Sequence, residues 1–293
     1  MTYEEIKRDY QNSNRAFYRD PADFYMEPFR IFGPLYYVGD KRVCVHLIDT
    51  GAGLVLIDAG YPHTIHLLVD SIFRLGFDPR EIRYILHTHG HYDHFGASNE
   101  FRKLYGCELV ISKTDANLLR ENPSASSLSW CETVAPLAYI PPDFQLELED
   151  GDVFRCGALA VHCVQIPGHT PGAMAFFFDV TEDGRTCRAG LFGGSGLGSV
   201  RRPVLEHRSQ PLSLQQDMLA SLEKVRGERV DIMLGNHPSN NDTLGRRRRQ
   251  LEEGGNPFID PSAWKSFLDM TRERFLKLYA EESAAYTERK GDV

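Results

Sequence analysis

The sequence predicts an α/β fold, and three observations lead to it. Short apolar runs bounded by Gly and Asp alternate with segments whose apolar residues recur at helical spacing. One run, GLVLIDAG at 53–60, is apolar on both faces, as a strand covered on both sides must be. The chain has 293 residues, 42% hydrophobic and 25% charged, which suits one large layered domain or two small ones.

The elements follow in order. Residues 1–28 read as a polar N-terminal arm. IFGPLYYVG, VCVHLIDT and GLVLIDAG are three consecutive short strands divided by Gly and Asp turns. HTIHLLVDSIFRLGF sets Ile65, Leu68, Ile72 and Leu75 at helical spacing. IRYILHT is a buried strand, a helix follows over residues 94–105, and CELVIS is the next strand. Residues 122–142 are rich in Ser and Pro, contain Trp130, and read as a long loop serving as a lid over a site. Strands resume with FQLELED, VFRCG, LAVHCVQI, AMAFFFDV and CRAGLFGG. LSLQQDMLASLEKV is then a helix, VDIMLGN a strand, and residues 261–283 a final amphipathic helix. Strands followed by helix, twice over, are what α/β layers require.

Composition narrows the function. A formal net charge of −8 offers no attraction to nucleic acid or anionic lipid. The local run RRRR, Arg246 to Arg249, reads as the solvated face of a helix. The first twenty residues have no apolar core of a secretory signal, and no stretch approaches the roughly 20 apolar residues of a membrane span. The six cysteines lack C-x-x-C spacing and read as buried, reduced thiols. A cytoplasmic protein acting on a small molecule is expected, with a trimmed secreted form as the alternative.

The chemistry is concentrated in HTHGHYDHFG, residues 87–96, which holds four of the chain's 11 histidines. His89 and His91 lie two apart in an extended turn, so both imidazoles can face one point. Asp93 and His94 open the next helix and can face a neighbouring one. The stretch thus supplies two ligands to each of two metals, from the ligand set of catalytic zinc. Two further strand ends each deliver a histidine: His169 in IPGHTPG, held between Pro-Gly turns, and His237 in LGNHP.

These landmarks, with the strand-end Asp58 of LIDAG, resemble the metallo-β-lactamase superfamily over nearly the whole chain. The resemblance implies a four-layer αββα sandwich of two mixed sheets forming a single domain over 1–293, with a dinuclear zinc site at the sheet edge, two Zn2+ per chain. It assigns His89, His91 and His169 to one zinc, and Asp93, His94 and His237 to the other, with Asp58 behind the ligands. Ser195, in LFGGSGLG, falls where many family hydrolases such as glyoxalase II carry a bridging Asp. That Ser, with His91, is similar to the third subclass of metallo-β-lactamases, as is NPFIDPSAW near the C-terminus. One departure is Leu197, where that subclass has a second serine for the substrate carboxylate; Ser199, Arg201 or Arg202 are the candidate substitutes.

Other histidines have plainer readings. His46 is packed or hydrogen-bonded in its strand, His63, His66 and His207 are surface residues, His162 points out of its strand, and His87 braces the loop. Tyr92 is expected in the pocket wall, in reach of substrate, with Trp130 in the lid. The resemblance implies a metal-bridging hydroxide attacking a carbonyl, with Asp93 orienting the nucleophile. A cyclic amide of the β-lactam kind is the first substrate class. Lactones or thioesters are the second, and a mononuclear iron persulfide dioxygenase, which needs fewer ligands, is the third.

Overall fold

The structure is a computed structural model that describes residues 1–126 and 141–291, with Ser124 and residues 285–291 through their backbone only. Strands β1 (Phe29–Phe32), β2 (Leu35–Tyr37), β3 (His46–Asp49), β4 (Leu54–Ile57), β5 (Ile82–Leu86), β6 (Glu108–Ser112) and β7 (Leu146–Leu148) form one sheet in sequence order. The first four pair antiparallel, and β4 to β7 run parallel. The second sheet has the order β12-β11-β10-β9-β8, from β8 (Val153–Cys156), β9 (Leu159–Gln165), β10 (Met174–Glu182), β11 (Arg185–Phe192) and β12 (Ile232–Leu234). Only its β11–β12 pair is parallel. Where the sequence predicts one strand over IFGPLYYVG, the chain forms the β1–β2 hairpin, turning at Gly33-Pro34.

Side-chain alternation explains why the central strands are apolar on both faces. Val55 and Ile57 meet Phe176 and Phe178 between the sheets, with Val110, Val161 and Leu191. Their neighbours Leu54 and Leu56 face the opposite way, onto Leu68 and Ile72 of α2 (Ile65–Arg74) and Phe101 of α4 (Ser98–Tyr105). Ala175 and Phe177 likewise face outward, onto Met218 and Leu222 of α7 (Leu214–Lys224) and Trp264, Leu268 and Phe275 of α9 (Ala263–Gly291). The indole of Trp264 donates to Val225 O at 3.0 Å. Helices therefore cover both outer faces, and the αββα layering expected from the sequence is present.

Other segments also differ from their sequence reading. The N-terminal arm contains a helix, α1 (Tyr3–Arg19), closed by a capping box in which Thr2 and Glu5 bond reciprocally. Tyr3, Ile6, Asn14 and Phe17 form its buried stripe, which the surrounding polar residues hide from a composition reading. Two more helices are unforeseen: α5 (Lys113–Glu121), which follows β6 directly with Ser112 as its N-cap, and the short α6 (Arg202–His207). In α8 (Thr243–Glu252) the RRRR run is only partly solvated. Arg246 reaches Asn241 O, Pro257 O and Asp260, and Arg247 lies over the Phe29 ring at 4.6 Å. Of the expected lid, Pro123–Ser126 is a 3-10 turn, while residues 127–140, Trp130 among them, lie outside the described residues. Among the described residues no helix is long and apolar enough to cross a membrane, and five cysteines are buried and unbridged.

Phe17 fastens α1 to the sandwich. It is 1% exposed and meets Phe24, Tyr61 and His63 edge-on at 4.9–5.1 Å, so His63 is half-buried in this cluster and not the surface residue expected. Phe17→Ala removes a buried aromatic and should cost about 3 kcal/mol. Urea unfolding reads this as a lower midpoint at unchanged slope, whereas an unchanged midpoint would mean that α1 unfolds separately.

Candidate metal centre

One edge of the sandwich collects the strand ends that matter. β4 and β5 are parallel, and β9, β11 and β12 point the same way as one another. Their C-terminal ends carry Asp58, the 87–96 stretch, His169, Ser195 and His237. The two sheets are stitched there by Met174 N–H donating to Thr88 O at 2.8 Å and Cys44 N–H donating to Asn236 O at 3.0 Å. Gly193 is required at this seam, because a Cβ would stand 2.1 Å from Met174 O and 2.9 Å from Thr88 Cβ.

Six side chains gather into two groups of three. His89, His91 and His169 form one and Asp93, His94 and His237 the other, and within each group the donor atoms lie within 4.8 Å of one another. His91 Nδ1 is 2.9 Å from His169 Nε2, and Asp93 Oδ2 is 3.4 Å from His94 Nε2 and 3.5 Å from His237 Nε2. Four donors at 2.0–2.1 Å around a tetrahedral zinc stand about 3.3 Å apart, so these spacings suit such an ion. The groups abut, with the His89 and His94 ring centroids 4.3 Å apart.

The far nitrogens decide which atoms are left to coordinate. His94 Nδ1–H donates to Asp58 Oδ2 at 2.7 Å, His169 Nδ1–H to Gly196 O at 2.8 Å, and His237 Nδ1–H to Arg42 O at 2.8 Å. The Thr88 hydroxyl donates to Asp58 Oδ2, so its oxygen accepts from His89 Nδ1–H at 2.9 Å. Each of these rings therefore turns Nε2 toward the centre of its group. His89 Nε2 and His94 Nε2 are buried and have no hydrogen-bond partner among the described residues. Buried polar atoms without partners are rare and ask for a ligand; a metal ion fits them. His87, by contrast, has both nitrogens engaged, with Val110 O at 2.8 Å and Ser98 Oγ at 2.7 Å.

Electrostatics divides the groups. Burial and the crowding of neighbouring imidazoles hold His89 and His91 neutral, well below the ordinary histidine pKa, and burial brings His169 down to about 3. Burial also opposes charge on His94, but the carboxylates of Asp93 and Asp58 outweigh it and raise its pKa to about 10.

Asp115, in the unforeseen α5, joins the two ligand loops from behind. Its Oδ2 accepts from Gly90 N–H and Thr170 Oγ1–H and its Oδ1 from Gly172 N–H, each at 2.7 Å. Gly172 allows this approach, since a Cβ there would meet Ser112 Oγ at 2.3 Å. No motif of the sequence flags Asp115; Ser112 and Asp115 at cap spacing were the available signal for α5.

The site opens into a cavity of about 510 Å³. His91, Asp93, His169 and His237 line it, with Ser199 as the sequence reading allows. Tyr92 does not: it is 4% exposed and packs with Phe17, Tyr61 and Phe95, because the short helix α3 (Tyr92–Phe95) turns it inward. Ser195 accepts from Asn240 Nδ2 at 3.0 Å. Arg201 is held toward Glu282 and Arg202 toward Glu206, so neither reaches the cavity. Tyr61 lines it as well, while sequence reasoning missed Tyr10, Asn14, Lys41 and Arg42, and the stretch that contributes Pro238, Ser239, Asp242 and Leu244.

Two substitutions separate these supports. Asp58→Asn leaves the backbone in place but disrupts the acceptor shared by Thr88 and His94, and should weaken zinc binding 10- to 100-fold in chelator competition; unchanged affinity would refute that role. Asp115→Ala strands three buried donors and should cost at least about 3 kcal/mol in denaturant unfolding.

The comparisons agree with this geometry. A family profile described as the metallo-beta-lactamase superfamily matches residues 39–237. BJP-1, a subclass B3 metallo-β-lactamase of Bradyrhizobium japonicum, superposes with a TM-score of 0.79 at 28% identity, over 89% of this chain and 96% of that one. MEM-A1, a subclass B3 metallo-β-lactamase from a soil metagenome, gives 0.73 at 28% identity, over 89% and 98%. The hydroxyacylglutathione hydrolase of Methylococcus capsulatus is 28% identical over 143 residues, which is 49% of this chain but 43% of that protein. The chain thus spans less than half the length of that curated relative. By its fold and by this match, the chain belongs to the metallo-β-lactamase superfamily and is a hydrolase of that family.

Proposed function

We propose that the chain is a dinuclear zinc hydrolase that opens cyclic amides, the β-lactam ring being the representative case. One observation carries the reading: two abutting three-donor groups, with the second nitrogen of His89, His94, His169 and His237 held by the protein, face one cavity. His89, His91 and His169 would hold one zinc, and Asp93, His94 and His237 the other. Zinc bound there supplies Lewis acidity toward a carbonyl and brings the pKa of bound water near neutrality.

The chain's own residues set the geometry. Asp58 fixes His94 directly and His89 through Thr88, so one buried carboxylate orients a ligand in each group. Asp93 lines the cavity between His94 and His237 and is the carboxylate positioned to orient an attacking water and accept its proton. The cavity's polar wall, with Ser199 and Arg42, receives the rest of the substrate.

The near-complete overlap with two subclass B3 metallo-β-lactamases supports the cyclic amide over a thioester, since the hydroxyacylglutathione hydrolase match covers under half of that protein. Ser195 supports it too, as it leaves no carboxylate after β11 to bridge two metals. The six-donor set argues against a single-iron oxygenase.

Zinc-loaded protein should hydrolyse a chromogenic cephalosporin at tens of turnovers per second, as an order of magnitude. A chelator should abolish the activity and added zinc restore it. Protein carrying two zinc ions that leaves the cephalosporin intact would overturn the cyclic-amide reading in favour of lactones or thioesters.

A further inference from the structure

The cavity has a positive wall that the metal centre does not account for. Arg42 and Lys41 line it from the β2–β3 connection, and the loop after β11 lines it too. That loop contributes Gly196, Gly198 and Ser199 but no cation, since Arg201 and Arg202 are held by Glu282 and Glu206. Leu197, where a carboxylate-binding serine is expected from the family pattern, is packed against the outer core of the second sheet.

Arg42 is built in rather than loose. Its carbonyl accepts from His237 Nδ1–H, its backbone N–H donates to Asp40 Oδ1 at 2.7 Å, and its guanidinium donates to Asn14 Oδ1 of α1. Asn14 is itself 2% exposed and held by its donation to Tyr10 O. Lys41 Nζ donates to Asp23 O, a neutral carbonyl. Among the described residues no carboxylate lies within ion-pair distance of the Arg42 guanidinium or of Lys41 Nζ. The cavity's acids are otherwise engaged: Asp93 with His94 and His237, and Asp242 with Arg249 at 3.2 Å.

We infer that Arg42, assisted by Lys41 and positioned by Asn14 of the N-terminal helix, binds an anionic group of the substrate, a carboxylate a few bonds from the scissile carbonyl. This rests on the reading of the cavity as a hydrolase site but not on the identity of the bond cleaved. A guanidinium in a half-enclosed cavity, with one donor committed to Asn14 and others free to point at a ligand, is suited to a planar carboxylate. The same residue holds His237 through its carbonyl, so the anchored group stands at a fixed offset from the second donor group.

The test uses probes that need no turnover. Mercapto-carboxylic acids with two to four methylenes between sulfur and carboxyl, and their methyl esters, are titrated calorimetrically into zinc-loaded protein. Thiolate addresses the metals in both members of a pair, so the difference between acid and ester reads the carboxylate subsite alone. At one chain length or more the acid should bind about tenfold tighter than its ester. Arg42→Gln, which retains a donor for Asn14, should remove that preference while the ester binds as before; Lys41→Gln should reduce it. Zinc content and unfolding midpoint check that the variants are intact. Acid and ester binding equally at every length, or a preference that survives Arg42→Gln, would overturn the inference. Cephalosporin turnover is scored separately: its absence alongside a preference carried by Arg42 would sink the cyclic-amide reading and leave the anionic subsite standing.

Discussion

The structure depends on one buried carboxylate. Asp58 follows β4 with φ +61°, a left-handed backbone that a non-glycine residue adopts only when its surroundings impose it. Its N–H donates to Leu86 O at 2.8 Å, tying the end of β4 to the end of β5. The side chain then accepts from Thr88 N–H, Thr88 Oγ1–H and His94 Nδ1–H. Local strain at one residue thus sets the exit path of the metal loop and the orientation of two imidazoles. An Asn would keep the shape but could not accept from all three donors with both of its side-chain atoms.

This arrangement makes sense only at the joint between two sheets. Neither sheet alone carries six donors: the first supplies His89, His91, Asp93 and His94, and the second His169 and His237. Their register is set by backbone bonds that cross the joint, Thr88 O to Met174 and Asn236 O to Cys44, and by the Asp115 carboxylate beneath the loops. The large aromatic core between the sheets, with Phe176 and Phe178, keeps the layers at fixed separation. Hydrophobic packing therefore determines the distance between donor groups, while hydrogen bonds determine which atom of each ring faces the other.

Legibility in the sequence followed the range of the interactions. The H-x-H-x-D-H stretch is local, so its spacing alone foretold two pairs of donors, and His169 and His237 announced themselves as histidines stranded after apolar runs. The layers were legible because alternation on β4 and β10 leaves a two-sided apolar signature. What stayed hidden depends on distant partners. Asp115 is an ordinary helix residue until the 89–91 and 169–172 loops are brought to it. Arg42 carries no motif, since its importance comes from facing His237 across 195 positions. Tyr92 sits inside the motif but turns away from the site, because a helix rotates each successive side chain by about 100°, which sets Tyr92 on the far side from His94. The helix α1 was obscured by its composition: a narrow buried stripe among charged neighbours has little average hydrophobicity.

That division has a consequence for how specificity is built. The donor side of the cavity is tightly constrained, since His89, His94, His169 and His237 each have one ring nitrogen held by a fixed acceptor. Another part of the wall is made by α1 and the β2–β3 connection, where Tyr10 OH meets Tyr61 OH at 2.9 Å and Asn14 meets Arg42. These contacts lie outside the strand ladders of both sheets. On the proposed reading, the residues that perform chemistry are thus those the fold cannot easily move, and the residues that choose a substrate are those it can. Arg42 belongs to both sets, since its carbonyl positions His237 while its guanidinium faces the cavity. A change in its side chain can therefore alter what the cavity accepts without altering what the metal centre does.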